Sequence, residues 1–138
     1  MDKKELIREA FLAREKSYSP YSNFCVGAAL LASNGTVYRG CNIENSSYTP
    51  TNCAERTAFF KAVSEGVTKF EAIVIVGGKK GEEVGYCAPC GVCRQVMMEF
   101  CDPNKFIIIL AKSEDEYKEF TLEQMLPLGF GPAELLDL

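Results

Sequence analysis

The chain contains no histidine. That absence removes every catalytic triad, general base and metal site built on imidazole, so a transition-metal site here has to rest mainly on thiolates. No apolar run approaches the roughly 20 residues a membrane-spanning helix requires, and no membrane partner is expected. Net charge is −4, with acidic and basic residues interspersed. There is no basic stripe to hold a polyanion, so nucleic acid is not the expected partner. Residues 1–17 carry both charge signs and do not read as a signal or transit peptide, which makes a cytoplasmic location the expectation. No repeat, linker or composition break divides the 138 residues. A single domain, 1–138, with a core of its own is expected.

Cysteine, by contrast, is abundant: seven, an odd number that cannot all pair. Without a secretion signal, metal or catalytic thiols are favoured over a disulfide framework. The thiols cluster at two places. Cys53-Ala54-Glu55-Arg56 sits where a polar loop, 46–52, gives way to the helical pattern Ala58, Phe59, Ala62, Val63. Pro89-Cys90-Gly91-Val92-Cys93 leads a second apolar stripe of Val92, Val96, Met97 and Phe100. Both clusters therefore fall at predicted helix N-termini, where free amide N–H groups and the helix dipole favour thiolates.

Cys90 and Cys93, three apart in a first helical turn, point to one side and can clamp a tetrahedral metal. A Cys-x-x-Cys pair alone is a weak signal, shared by redox motifs and structural zinc sites. The third cysteine sharpens it, because Cys53 is followed two residues on by Glu55. Three thiolates leave the fourth zinc position open for a water, which can then ionise near neutral pH, with Glu55 placed to shuttle its proton. Arg56 answers the net negative charge of three thiolates by hydrogen-bonding the sulfurs; Arg94 is the alternative, or else a solvated helix residue. Cys87 and Cys90 form an overlapping Cys-x-x-Cys, but Pro89, just ahead of the helix start, favours Cys90 with Cys93. Cys25, Cys41 and Cys101 lie in apolar settings and read as buried spectators.

The remaining pattern is α/β. Asp2 and Glu5 are spaced as a capping box for a helix over 3–16. An antiparallel pair, 25–32 and 36–43, is joined at Asn34-Gly35, read as a primed hairpin turn. Small residues at Gly27 and Ala28 imply close packing over the first strand. A helix runs from near Cys53 to near Gly66. Residues 70–76 form a strand covered on both faces, 77–86 an exposed glycine-rich loop, and 105–111 another buried strand after the second Cys-led helix. Thr121 and Gln124 box a short helix over 122–126, and 132–135 makes a further turn. Strand, helix, strand, helix, strand at this spacing implies crossovers and at least partly parallel pairing.

Cys-Ala-Glu-Arg followed by Pro-Cys-x-x-Cys resembles the cytidine deaminases, specifically the small zinc enzymes that form homotetramers; a glutamate that is not a metal ligand is part of the zinc deaminase signature. Pro20-Tyr21-Ser22-Asn23-Phe24 with Val26-Gly27-Ala28-Ala29-Leu30 looks like that family's first strand and its lead-in. Gly40-Cys41-Asn42-Ile43-Glu44-Asn45 looks like its nucleoside-binding segment. The resemblance implies a three-layer α/β/α sandwich around a five-stranded mixed sheet. It implies one zinc ion per subunit on Cys53, Cys90 and Cys93, and hydrolysis of cytidine and 2'-deoxycytidine to the uridines and ammonia, in pyrimidine salvage. Zinc-bound hydroxide would attack C4 while Glu55 protonates N3 and helps ammonia leave. Asn42 and Glu44 would hold the ribose hydroxyl, Phe24 would stack on the base, and the backbone of Ala54 would touch the pyrimidine edge. Tyr48 and Phe130 would reach a neighbouring subunit's site.

Taken without the resemblance, Phe24 reads as core, Asn42 and Glu44 as strand-end polar residues, and Phe130 as a hydrophobic plug. Cys87 and Pro50 depart mildly from the family pattern. A thiol–disulfide oxidoreductase cycling Cys90 and Cys93 is one rival class, though it gives Glu55 no role. A non-enzymatic zinc module is another, and it would need a fourth ligand and a basic face. Within the enzymes, a deaminase of an aminoacylnucleoside antibiotic is the competitor, and Asn42 with Glu44 favours free nucleosides.

Overall fold

The Asp2 carboxylate accepts the Glu5 backbone N–H at 3.1 Å and starts helix α1 (Lys3–Arg14), which ends two residues short of the expected limit. The computed structural model describes residues 1–136. Strands β1 (Phe24–Ala32) and β2 (Val37–Cys41) follow, then α2 (Ala54–Ser64), β3 (Phe70–Lys79), α3 (Gly91–Phe100), β4 (Ile107–Ala111) and β5 (Tyr117–Thr121). Two short helices, α4 (Leu122–Met125) and α5 (Ala133–Leu136), close the described chain. The five strands form one mixed sheet in the order β2-β1-β3-β4-β5. Only β3 and β4 run parallel, joined through α3, while the other neighbours are antiparallel.

Alternation along each central strand sends successive side chains to opposite faces, and both faces are apolar. Ala29, Val74, Val76 and Ile109 meet Leu6, Ile7 and Ala10 of α1 on one side. Ala28, Leu30, Ile73, Ile75 and Ile108 meet Ala58, Phe59, Ala62 and Met97 of α2 and α3 on the other. The result is the three-layer α/β/α sandwich. Phe59 anchors the second layer, edge-on to Phe70 with ring centroids 4.9 Å apart; burial of a Phe side chain contributes roughly 1.5–3 kcal/mol.

Two glycines set how closely the helices approach the sheet. A Cβ at Gly27 would run into the α1 backbone at Ala10 and Arg14, and one at Gly40 into the α2 backbone at Ala54 and Ala58. The close packing expected over the first strand is therefore real.

Two local expectations give way, and one strand appears that the sequence did not suggest. The β1–β2 connection is a three-residue loop, Ser33-Asn34-Gly35, closed by Gly35 N–H to Ala32 C=O at 3.0 Å and Ala32 N–H to Thr36 C=O at 2.9 Å. Only Gly35 has positive φ (+90°), whereas the primed two-residue turn would need Asn34 there as well. Gly77 and Gly78 belong to β3 and not to the following loop, pairing with Val26 and Cys25 of β1, and the space a Cβ would take is filled by the Cys87 and Phe24 side chains at Gly77 and by the Val84 and Glu83 backbone at Gly78. The edge strand β5 lacks the apolar run that marks the interior strands: in YKEFT two of five residues, Lys118 and Glu119, are charged and exposed, and the other three are only partly buried.

Candidate active site

Cys53 and Cys90 occupy equivalent positions as the N-cap residues of α2 and α3, both with extended backbone (φ −76°, ψ 155° and φ −67°, ψ 167°). The two helix starts converge. Cys53 Sγ lies 3.7 Å from Cys90 Sγ, which lies 3.4 Å from Cys93 Sγ. All three sulfurs fall within 4.8 Å of one another. Tetrahedral Zn–S bonds near ~2.3 Å require sulfur separations of about 3.8 Å, so the triangle fits a zinc ion with small adjustments. Among the described residues this is the one such cluster, and Cys87 is not part of it.

Charge around the sulfurs is arranged to match. Arg56 Nη2 donates to Cys53 Sγ at 3.2 Å, and its Nε is buried with no partner among the described residues. Hydrogen bonding from the Cys93 thiol, with Arg56 and Cys90 adding to it against burial, holds Cys53 down at about 5. Cys93 is pushed upward by that same hydrogen bond and by burial, with the Glu55 and Cys53 charges adding to it. A cation bound between them would ionise all three.

Glu55, in the first turn of α2, is only 4% exposed. Burial pushes its carboxyl up to about 7, with the Cys53 charge adding to the effect and its own backbone N–H opposing it. A buried carboxyl poised near neutrality beside a metal-ligating cluster is suited to moving protons in both directions. Cys87 flanks this carboxyl. Burial first, then the Glu55 and Cys53 charges, raise it to about 11, which keeps it a thiol. Its side chain lies over Gly77, where a Cβ would sit 2.7 Å from Cys87 Sγ and 3.3 Å from Cε1 of Phe24.

The expected base and sugar residues lie around the start of β1 and the end of β2. Phe24 opens β1 with its ring 38% exposed over Gly77, so it is not core. Ala54, first residue of α2, is wholly buried. Asn42 Oδ1 accepts Val26 N–H at 2.9 Å and the Ser17 hydroxyl, while Nδ2 donates to Phe24 C=O at 2.7 Å. Glu44 Oε1 accepts Tyr21 N–H at 3.0 Å and Ser22 N–H at 3.1 Å, and Oε2 takes the Ser22 hydroxyl. These bonds, the Ser22 hydroxyl above all, hold the Glu44 carboxyl below its usual value. A cleft of about 390 Å³ opens beside Glu44, lined by Tyr21, Ser22, Tyr48 and Thr51.

Tyr48 (73% exposed, φ +66°) and Phe130 (57% exposed) project from their own chain. The Tyr48 ring meets the Tyr21 ring edge-on, at 6.3 Å between centroids, and Phe130 is held through its carbonyl by Gln95 Nε2 at 2.8 Å. Arg94 is neither a sulfur partner nor a solvated residue. Its Nε donates to Pro89 C=O at 2.9 Å and its Nη1 to Met125 C=O at 2.6 Å, tying the Cys90 loop to α4. Residue-by-residue reading missed Ser17, Ser22 and Gly77. Ser22 stood in the Pro-Tyr-Ser turn as a visible signal, whereas Ser17 and Gly77 act through neighbours distant in sequence.

Three thiols on two helix starts, with a buried carboxyl beside them on a three-layer sandwich, fit a thiolate zinc site with a proton-transfer group at its side. Residues 1–110 match the family pattern described as the cytidine and deoxycytidylate deaminase zinc-binding region. The chain is 50% identical to the cytidine deaminase of Sporosarcina psychrophila over 135 residues, covering 98% of this chain and 96% of that one. It is 48% identical to that of Halalkalibacterium halodurans over 137 residues, 99% of this chain and all of the other. The crystal structure of cytidine deaminase from Burkholderia pseudomallei superposes with a TM-score of 0.85 at 45% identity, over 94% of this chain and all of that one. The chain belongs to the cytidine and deoxycytidylate deaminase family. It is an enzyme of that hydrolytic family, and zinc is its cofactor.

Proposed function

We propose that the protein hydrolyses cytidine and 2'-deoxycytidine to uridine and 2'-deoxyuridine, releasing ammonia, as a step of pyrimidine salvage. The observation that carries this reading is the placement of Glu55, buried and poised near neutrality, beside the Cys53–Cys90–Cys93 triangle. Those three cysteines hold the zinc ion, which when bound supplies the Lewis acidity that brings a water near ionisation at neutral pH. Glu55 as carboxylate takes the proton of the attacking water and passes it to N3 of the pyrimidine. It then takes the second proton, from the new C4 hydroxyl, and gives it to the amine, which leaves as ammonia while the C4 carbonyl forms, so that one carboxyl carries both transfers. Arg56 stabilises the sulfur charge through Cys53.

Phe24 supplies the face on which the base stacks, and the backbone of Ala54 addresses the pyrimidine edge. Asn42 and Glu44 hold the sugar hydroxyl, one as donor and one as acceptor. Tyr48 and Phe130, both projecting from the chain, complete a neighbouring subunit's site in a homotetramer. No strongly basic surface is needed for such a substrate, and the net charge of −4 accords with a free nucleoside and not a nucleic acid. The whole chain acts as one domain, in the cytoplasm.

The test is ammonia release from cytidine by the purified, zinc-loaded protein, with Glu55→Ala as the paired control. Release that collapses in the variant while zinc stays bound supports both the reaction and the proton shuttle. Absence of release from zinc-loaded native protein would sink the nucleoside reading.

A further inference from the structure

Asn42 offers a ligand one bonding direction only. The Val26 N–H requires its oxygen, and the Phe24 carbonyl requires its nitrogen, so the amide cannot flip. Oδ1 also receives the Ser17 hydroxyl, which fills both oxygen lone pairs. One N–H of Nδ2 is left for a substrate. Ser17 stands just past the end of α1, 25 positions from Asn42 in sequence. Its Oγ also lies 3.2 Å from Ser19 Oγ, which lies 3.2 Å from Cys25 Sγ. Ser17 has a single hydroxyl proton and two acceptors within reach, Ser19 Oγ and Asn42 Oδ1, of which Oδ1 is the nearer and takes the proton. A hydrogen bond into the amide oxygen polarises the amide and strengthens its N–H as a donor.

We infer that Ser17 is a positioning residue for the sugar-binding amide: it pins Asn42 and strengthens its remaining N–H as a donor to the substrate hydroxyl. The inference rests on the nucleoside reading for its consequence, though not for its geometry. The hydroxyl that accepts from Asn42 donates in turn to Glu44, whose oxygens are held as acceptors by Tyr21 and Ser22. Because Ser17 acts through Asn42 alone, its removal weakens recognition of the sugar and leaves the base and the reacting carbon untouched.

The test compares Ser17→Ala and Ser17→Thr with the native zinc-loaded enzyme. Losing one neutral hydrogen bond of this kind should raise KM for cytidine about three- to tenfold in Ser17→Ala, with kcat held within about twofold. The inhibition constant of 2',3'-dideoxycytidine, which lacks the 2'- and 3'-hydroxyls, should not move, and Ser17→Thr should restore KM. A ligand-free readout runs alongside: hydrogen exchange of the Asn42 side-chain amide, followed by NMR, should quicken in Ser17→Ala. An unchanged KM, an equal shift for the dideoxy compound, or unaltered amide exchange overturns the inference. If the native enzyme releases no ammonia from cytidine, the nucleoside reading fails instead, and the amide exchange alone decides whether Ser17 pins Asn42.

Discussion

Arg56 reaches the sulfur of Cys53 across one helical turn, Nη2 to Sγ at 3.2 Å, on the same turn of α2 that carries Glu55. Three thiolates around a divalent ion leave an excess negative charge, and this guanidinium is the cation directly bonded to one of them. Arg56→Ala should therefore weaken zinc binding about 10- to 100-fold, read by competition with a chromogenic chelator. Arg56→Lys should recover part of the loss, since an ammonium keeps the charge but not the planar fork.

Cys87 lies close to the site yet outside the sulfur triangle. Cys87→Ser should keep the native zinc content per chain by atomic absorption. Cys53→Ser and Cys93→Ser should each lose most of theirs. A drop in zinc for Cys87→Ser would show that the ligand set is wrong.

The metal-free protein should show a particular pH dependence at Glu55. Its folded carboxyl is raised to about 7 from an ordinary 4.5, so the folded chain favours the protonated form. The resulting stability is fully present below the ordinary value and is lost as pH rises through about 7. Glu55→Gln has no such loss. Metal-free native protein should weaken relative to Glu55→Gln by up to about 3 kcal/mol between about pH 5 and about pH 8, measured by urea unfolding. Cys53, depressed to about 5 from 9.0, runs the opposite way: its stability is present above its ordinary value and is lost as pH falls through about 5. Both proteins share that cysteine, so its direct contribution largely leaves the difference.

Gly40 sets the distance between β2 and α2. A Cβ there would lie 2.6 Å from Ala58 N and 3.0 Å from Ala58 Cβ, with the carbonyl of Ala54 closer still. Gly40→Ala should destabilise the fold by about 1–3 kcal/mol in denaturant unfolding. Because the displaced helix carries Cys53, zinc affinity should fall with it. Gly35→Ala, with open space around the added methyl but φ +90°, should cost only about 1 kcal/mol of backbone strain and leave zinc binding unchanged.

What could be read in the chain was what local chemistry dictates. The cysteines at two helix starts, the Thr121–Gln124 capping box and the apolar run of β4 were legible because each carries its signal within a few residues. β5 was not, since a charged edge strand is defined by the neighbour it pairs with: Ile108 opposite Phe120 and Ile109 opposite Glu119. Gly77 read as loop for a similar reason, because Cys87 and Phe24 are what make a side chain there impossible. Arg94 looked free until the carbonyls of Pro89 and Met125, distant in sequence from each other, converged on it. The polar network around Asn42 was hidden likewise, since nothing near Ser17 in sequence points to residue 42.

The sulfur triangle also has a mechanical meaning. Cys53 and Cys90 are 37 residues apart, and each caps its own helix. An ion gripping both ends shuts the intervening chain, including all of β3, into a ring. Closing a ring of that size removes roughly 4 kcal/mol of freedom from the unfolded chain by the reckoning used for covalent cross-links. The same atoms that organise the chemistry therefore act as a clasp, and a chelator should loosen the whole sandwich as well as silence it.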